Sequence, residues 1–293
     1  MSIQSILFRL GAGKSDRKRD SIIPFPTGVK QICDISYGPY GKWNLLDIYY
    51  PDDGKVHPVI VNVHGGGFVY GNKEIYKRYG MDLARRGFTV VNINYRLAPR
   101  WKFPAPLEDI NNVMLWLNRE SRRHYADVDR IFMVGDSAGA QLVSQYAAML
   151  TNPRYMALFG FKRPDPSIQL RAVGLNCGLY DMKTVASQHR KGLELDYLGR
   201  KISNDDPRLD VLSAVTSHFP PAHITTACHD FLRGAAQPMF DHLHSKGVVC
   251  KLDVYGTQED ESVGHVFHIN ILRPEAIQCN DDQCAFFNAQ IQD

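Results

Sequence analysis

The sequence predicts an α/β fold, in which a mostly parallel central sheet is flanked by helices. Short apolar runs of strand length alternate along the chain with longer runs of helical pattern, which is typical of βαβ units. One of the apolar runs meets a helical run at a turn made of glycine and serine, at residues 135–139. The chain has 293 residues, of which 44% are hydrophobic, enough for a core of one α/β domain.

The elements are predicted in chain order from their apolar patterns. An antiparallel pair of strands is expected over residues 31–37 and 42–50. Six further apolar runs predict buried strands at residues 58–63, 89–94, 130–134, 173–180, 222–228 and 248–255. Two of the helices are predicted over residues 107–116 and 138–150, the first from its amphipathic spacing and the second from residues of high helix propensity.

The chain is predicted to form a single domain over residues 1–293, with cap elements over about residues 1–30 and 182–213. The second cap segment interrupts the alternation of strands and helices, and it carries Leu193, Leu195, Tyr197 and Leu198 among charged residues. It is interpreted as a small helical cap. A surface insertion without a functional role is the alternative.

The glycine–serine turn has the sequence GDSAG at residues 135–139. A serine on a very tight turn between a strand and a helix is held in a strained conformation, with its hydroxyl clear of the sheet edge. The flanking glycines are needed because a Cβ there would collide with the strand or the helix. The pattern points to Ser137 as a nucleophile, although a chance turn can also produce it.

A second glycine-rich segment, HGGGF at residues 64–68, follows the strand predicted at 58–63. Consecutive glycines can expose backbone N–H groups that stabilise the negative oxygen of a tetrahedral intermediate. A phosphate-binding loop is an alternative, but the segment lacks the Lys-Ser/Thr and G-x-G-x-x-G patterns of such loops. A plain flexible loop is the other alternative. The pairing with a GxSxG turn favours the first interpretation.

A nucleophilic serine needs a base, and the base needs an acid that orients it. In proteins with this kind of serine turn, the order along the chain is serine, then acid, then histidine. His265 and His268 lie in a loop after the last predicted strand, and His265 is the preferred base because it directly follows Gly264. For the acid, Asp230 ends a strand run at a suitable point in the chain. Two competitors, Asp181 and Asp253, remain open on spacing alone.

The motifs together resemble the hormone-sensitive-lipase-like branch of the α/β-hydrolase esterases. The resemblance runs from about residue 42 to residue 272 and rests on the segments HGGGF, YRLAP, FPAP, GDSAG, DFL and HVF. It implies the α/β-hydrolase fold, with Ser137 as nucleophile, His265 as base and Asp230 as acid. It also implies an oxyanion hole formed by the backbone N–H groups of Gly66, Gly67 and Ala138.

The function expected from this resemblance is that of a serine carboxylesterase that acts through an acyl-enzyme and needs no metal or cofactor. Phe68, Leu193 and Leu198 are predicted to bound the acyl pocket, and a small cap beside bulky residues favours short acyl chains, acetyl to hexanoyl. An amidase or peptidase with the same triad is the alternative. A receptor that has lost catalysis is a further one, although all three triad residues are present.

The expected partner is the small-molecule ester implied by the resemblance, and the charge of the chain indicates no other. The formal net charge is only +3, so no nucleic-acid partner is expected. The basic run at residues 14–20 is predicted to be a solvated tail rather than a polyanion site. No membrane partner is expected either, and a homodimer is left open. Six scattered cysteines fit reduced thiols in a cytoplasmic protein.

Overall fold

The computed structural model describes residues 1–120, 126–166, 168–187 and 191–291. Within them, one sheet contains β1 (Val29–Ser36), β2 (Leu45–Pro51), β3 (His57–Val63), β4 (Thr89–Ile93), β5 (Ala126–Asp136), β6 (Leu170–Asn176), β7 (Ala222–Ala227) and β8 (Cys250–Tyr255). The described α-helices are α1 (Ile3–Asp20), α2 (Lys77–Ala84), α3 (Ala105–Glu120), α4 (Ala138–Thr151), α5 (Pro153–Ala157), α6 (Met182–Ser187), α7 (Gly192–Leu198), α8 (Val211–Ala214), α9 (Ala236–Ser245) and α10 (Pro274–Ala289).

The sheet is mostly parallel, as predicted. Its strands follow the spatial order β1-β2-β4-β3-β5-β6-β7-β8. Strand β2 runs antiparallel to both β1 and β4, and the remaining pairs are parallel. The loops after the parallel strands therefore emerge at one edge of the sheet, where ligands bind in open α/β folds.

Alternate residues of the central strands supply two hydrophobic cores, one on each face of the sheet. In β3, Val59 and Val61 belong to one core and Ile60 belongs to the other. This follows from the two-residue period of a strand. Helices α3 and α4 cover the first face, while α2 and α10 cover the second. The sheet is thus covered by helices on both faces.

Among the sequence-based boundaries that differ from the structure, the start of β5 and the end of β6 each differ by four residues. Strand β5 is longer than the apolar run at residues 130–134, because its pairing with β3 begins at Ala126. Strand β6 ends at Asn176 instead of continuing to residue 180. Cys177 has a φ of 48°, and this left-handed conformation turns the chain out of the sheet.

The N-terminal segment is not a solvated tail, and that expectation was wrong for residues 14–20. They form the last two turns of α1, whose first residues are capped by the Ser2 hydroxyl, an acceptor for the amide of Ser5 at 3.1 Å. Asp16 and Arg19 lie on its half-buried face. No helix among the described residues combines the length and apolar character needed to span a bilayer.

Helices α6, α7 and α8 lie in the segment predicted as a cap, of which residues 188–190 lie outside the described part of the chain. Helix α7 packs against α1. The amide of Ser2 donates a 2.7 Å hydrogen bond to the Asp196 carboxylate, and a Cβ on Gly192 would come within 2.2 Å of Oε1 of Gln4. The N-terminal helix and the second cap segment are therefore joined.

Candidate active site

Ser137 lies between the end of β5 and the start of α4, in a strained conformation with φ 53° and ψ −118°. A Cβ on Gly135 would lie 2.5 Å from the backbone of Gly139, and a Cβ on Gly139 would lie 2.1 Å from the carbonyl oxygen of Val63. Only glycine fits at both positions, which is the reason the GDSAG pattern could be read from sequence. The strain at a non-glycine residue is typical of functional sites.

The glycine-rich loop after β3 presents free amides to the same cavity as Ser137. Gly66 and Gly67 have φ values of 110° and 58°, and their N–H groups have no hydrogen-bond partner among the described residues. Ala138 is the first residue of α4, so its N–H group has no acceptor within the helix. The three predicted oxyanion donors are therefore available to an anion.

His265 and Asp230 are joined by a hydrogen bond of 2.7 Å between Nδ1 of the imidazole and Oδ1 of the carboxylate. The two residues lie in the loops that follow β8 and β7, which also form a bridge between His229 and Gly264. His265 lines the cavity together with Ser137. The structure thus brings the preferred base and the preferred acid together, and the bond to Asp230 occupies Nδ1 of the imidazole.

The Asp230 carboxylate is buried and fully partnered. It accepts hydrogen bonds from the Thr226 hydroxyl at 2.8 Å and from the amide of Leu232 at 2.9 Å, besides that from His265. Burial opposes its ionisation, but these hydrogen bonds outweigh burial and hold the pKa of Asp230 below its usual value. The carboxylate is consequently charged at neutral pH and can stabilise an imidazolium.

The competing residues serve other purposes. His268 is buried against the ring of Tyr79, and burial lowers its pKa to about 3. Asp181 caps α6 by accepting a 2.9 Å hydrogen bond from the amide of Thr184. Asp253 pairs with Nε2 of His223 at 2.8 Å. The geometry therefore favours His265 and Asp230 over these alternatives.

The histidine of the HGGGF segment is structural. Nδ1 of His64 lies 2.7 Å from the carbonyl oxygen of Gly65, and its ring stacks on Tyr95 with centroids 4.1 Å apart. Burial lowers the pKa of His64 to about 4, so the ring is neutral at physiological pH. A neutral imidazole that donates from Nδ1 fixes the carbonyl at the start of the glycine loop.

One polar group near the serine was missed by sequence reasoning. The Tyr76 hydroxyl donates a 2.8 Å hydrogen bond to the buried carboxylate of Asp136 and accepts one of 3.1 Å from the amide of Gly65. Tyr76 precedes α2 and carries no motif, so nothing in the sequence marked it. The Tyr76 hydroxyl thus links Asp136, which precedes Ser137, to Gly65, which precedes Gly66.

Cys177, Asp230 and His265 form the one group of potential metal ligands found in the described part of the chain, with ligand atoms within 4.8 Å of one another. Burial raises the pKa of the Cys177 thiol well above its usual value, and the nearby Asp230 carboxylate raises it further. Metals bind the thiolate, not the thiol. Nδ1 of His265 and Oδ1 of Asp230 are already hydrogen-bonded to each other. The group therefore fits a hydrogen-bonded network better than a metal site.

Helices α1, α6 and α7 form the wall of a cavity of about 550 Å³ that Ser137 and His265 also line. Leu193 of α7 and Phe68 of the glycine-rich segment both line this cavity, as expected. Leu198 is not among the lining residues, which corrects that expectation: it is buried in the core. Leu193 and Leu198 are five positions apart on a helix, so they point to different faces.

Helix α1 is anchored to the glycine loop by polar contacts. Nε of Arg9 donates a 2.6 Å hydrogen bond to the carbonyl oxygen of Val69, and the Tyr70 hydroxyl donates one of 2.9 Å to the Asp16 carboxylate. Phe8, Asp16 and Arg19 of this helix line the cavity. The first cap element thus belongs to the walls of the candidate site.

A mostly parallel sheet with a serine at a strained strand-to-helix turn defines the α/β-hydrolase class. Residues 60–269 match the model of the Abhydrolase_3 family, described as having the alpha/beta hydrolase fold. The chain belongs to this family, and its resemblance to the hormone-sensitive-lipase-like branch is confirmed.

Known relatives and structures agree with this assignment. The chain is 29% identical over 226 residues to Esterase LipQ of Mycobacterium tuberculosis, covering 74% of this chain and 51% of that protein. It is 30% identical over 231 residues to Esterase LipI of the same organism, covering 74% of this chain and 69% of LipI. The chain thus spans about half the length of LipQ.

Among solved structures, the fold is similar to that of Esterase B from Lactobacillus rhamnosis inhibited by a C4-C4 tributyrin phosphonate. The TM-score is 0.84 at 23% identity, and the match covers 99% of this chain and 96% of that chain. At this identity the likeness shows the fold alone. The predicted fold class is therefore confirmed.

Proposed function

We propose that the protein is a serine carboxylesterase that hydrolyses esters of short acyl chains. The observation that carries the proposal is the 2.7 Å hydrogen bond between Asp230 and His265, because His265 lines the same cavity as the strained Ser137 and the glycine loop with its amides at Gly66 and Gly67. A nucleophile, an oriented base and anion-stabilising donors are the parts that acyl transfer requires.

The proposed reaction begins when the Ser137 hydroxyl attacks the ester carbonyl and gives its proton to Nε2 of His265. The Asp230 carboxylate holds the imidazole in the tautomer that carries its proton on Nδ1, and stabilises the charged ring that forms. The N–H groups of Gly66, Gly67 and Ala138 receive the negative oxygen of the tetrahedral intermediate. His265 then protonates the departing alcohol, and water repeats the sequence on the acyl-enzyme.

The preference for short acyl chains rests on the cavity wall. Leu193 lies so close to the glycine loop that a Cβ on Gly67 would come within 2.2 Å of its Cδ2 atom. Phe68 is fixed on the same wall by stacking on Tyr197, with ring centroids 3.8 Å apart. We infer that these side chains limit the length of the acyl chain that binds beside the glycine loop. The inhibitor named for Esterase B of Lactobacillus rhamnosis, a tributyrin phosphonate, has acyl groups of the expected size.

The test is a profile of kcat/KM over p-nitrophenyl esters from acetate to palmitate, with a p-nitroanilide of the preferred acyl group as the comparison. Each methylene that fits is expected to gain up to about 0.8 kcal/mol, and the gain stops where the wall is reached. A maximum at or below hexanoate with little anilide cleavage supports the proposal. A rate that climbs to palmitate, or an anilide cleaved as fast as the ester, contradicts it.

A further inference from the structure

Helix α1 turns most of its large apolar side chains to solvent, with Phe8 as the exception. The exposed fractions of Ile3, Leu7 and Leu10 are 76%, 63% and 65%, and that of Ile6 is 45%. Their spacing of three and four residues places them on one face of the helix. The residues of α1 that line the cavity, such as Phe8 and others toward its C-terminus, lie on the opposite face. The outward face of the cavity wall is therefore apolar.

The same face becomes basic in the second half of the helix. Lys14, Arg17 and Lys18 are exposed, and no ion pair in the described part of the chain involves them. The acidic residues of α1, Asp16 and Asp20, are both bonded to Arg19 on the half-buried side, at 2.6 and 2.7 Å. We name residues 3, 6, 7, 10, 14, 17 and 18 the outer face of α1. It carries four large apolar side chains, three unpaired cations and no acid.

The fold does not use this apolar surface for packing. The helix is held by polar bonds from its inner side, namely those of Arg9 to the glycine loop, Ser2 to Asp196 and Tyr70 to Asp16. Apolar side chains that stay exposed together on one helix face mark an interaction surface. The unpaired cations beside them indicate that the partner is negatively charged.

We propose that the outer face of α1 docks on an anionic lipid surface. A helix that lies in the plane of a membrane buries its apolar side chains at the boundary of headgroups and acyl chains, while its lysines and arginines contact anionic headgroups. The apolar half followed by the basic half, on one continuous face, matches these two requirements. The docking departs from the sequence-based expectation of no membrane partner, and it places a wall of the ester-binding cavity at the lipid surface.

The test is cosedimentation of the full chain with vesicles of phosphatidylcholine alone and of phosphatidylcholine with one third phosphatidylglycerol. We expect binding to the anionic vesicles that weakens at high salt, and much weaker binding to phosphatidylcholine. Leu7→Gln/Leu10→Gln and Lys14→Gln/Lys18→Gln are each expected to reduce binding to anionic vesicles about tenfold or more. Matched controls, Val56→Gln/Val249→Gln and Lys55→Gln/Lys246→Gln, change equally exposed residues elsewhere and are expected to bind as the unchanged protein does.

Binding is measured without substrate, so its outcome is independent of the proposed esterase activity. Hydrolysis of a water-soluble ester, if present, is expected to be unchanged in the outer-face variants, which shows that they are folded. Absence of binding to anionic vesicles, or an equal loss in the control variants, overturns the proposal. It is also overturned if the chain does not bind vesicles but forms a dimer that Leu7→Gln/Leu10→Gln dissociates in sedimentation velocity, because a second copy is then the occupant.

Discussion

The hydroxyl of Tyr76 donates a hydrogen bond of 2.8 Å to the carboxylate of Asp136, the residue that precedes Ser137. The same hydroxyl accepts the N–H group of Gly65 at 3.1 Å. A single buried oxygen therefore links the serine turn to the glycine loop, whose free amides are the proposed oxyanion donors. We expect the distance between the proposed nucleophile and the proposed donors to depend on this link.

Tyr76→Phe is expected to lower kcat about tenfold with little change in KM, because the glycine loop loses its tether. The effect should be smaller than that of losing one oxyanion donor outright, about 10²–10³. Steady-state kinetics on a short-chain ester measure it. Tyr79→Phe is the matched control, since the Tyr79 hydroxyl is buried without a partner in the described residues. Equal kinetics of the two variants would show that the link does not position the loop.

Asp136→Asn is expected to change how stability depends on pH. Burial raises the pKa of Asp136 to about 7, although the Tyr76 hydroxyl favours its ionised form. An aspartate in an unfolded chain has a pKa of about 3.9. Between about pH 4 and pH 7, Asp136 is thus protonated more often in the folded chain than in the unfolded chain. The contribution of Asp136 to the free energy of unfolding therefore falls as the pH rises.

The asparagine variant keeps an acceptor for Tyr76 and has no charge to bury. The stability of the unchanged protein relative to this variant should therefore fall from pH 4 to pH 7. Urea unfolding of both proteins at several pH values within and above this window measures the difference. A difference that stays constant across the window would place the pKa of Asp136 near its ordinary value.

Ser137→Ala is expected to leave the fold intact and to remove acyl-enzyme formation. A serine-directed organophosphate should label Ser137 in the unchanged protein and nothing in the variant, as read by mass spectrometry of peptides. Circular dichroism provides the control for folding. Labelling of another serine, or full activity of the variant, would exclude Ser137 as the nucleophile.

His265→Ala is expected to be as damaging as loss of the serine, because triad residues act as a unit. Asp230→Asn should lower kcat by about 10⁴, since the amide favours the wrong histidine tautomer. Matched controls are His268→Ala and Asp181→Asn, which remove residues of the same types that make no hydrogen bond to the proposed pair. The controls should keep most of their kcat. A severe loss in Asp181→Asn with a mild one in Asp230→Asn would reassign the acid.

The serine turn was predictable because its glycines are required by local sterics. A Cβ on Gly135 or Gly139 would collide with neighbouring backbone atoms. The choice among Asp230, Asp181 and Asp253 was not predictable from spacing. The bond between His265 and Asp230 spans 35 positions and depends on where two loops meet after folding. Local patterns therefore located the proposed nucleophile. The acid was singled out by the family resemblance, and the tertiary structure adds the contact that favours Asp230.

Helix α1 was missed because its pattern is reversed. Its half-buried face carries Arg9, Asp16 and Arg19, while its leucines are exposed. A helix that packs on a protein is normally recognised by apolar residues on its inward face, and this helix does not show that pattern. One local signal was present: Ser2 precedes a run without proline, and its hydroxyl caps the helix. The segment was predicted as a cap element over about residues 1–30, but the helix within it was not predicted.

Leu193→Ala is expected to shift the preferred acyl chain to longer esters. The Leu193 side chain lies beside the proposed oxyanion donor Gly67, and its removal opens the wall that limits chain length. The maximum in kcat/KM should move by one or more methylenes, each worth up to about 0.8 kcal/mol when it fits. Leu198→Ala is the matched control, because Leu198 is buried in the core and its loss should lower stability without moving the maximum. The p-nitrophenyl ester series measures both variants. If the maximum moves in Leu198→Ala and stays in place in Leu193→Ala, the acyl group binds at another part of the cavity than the wall formed by α7.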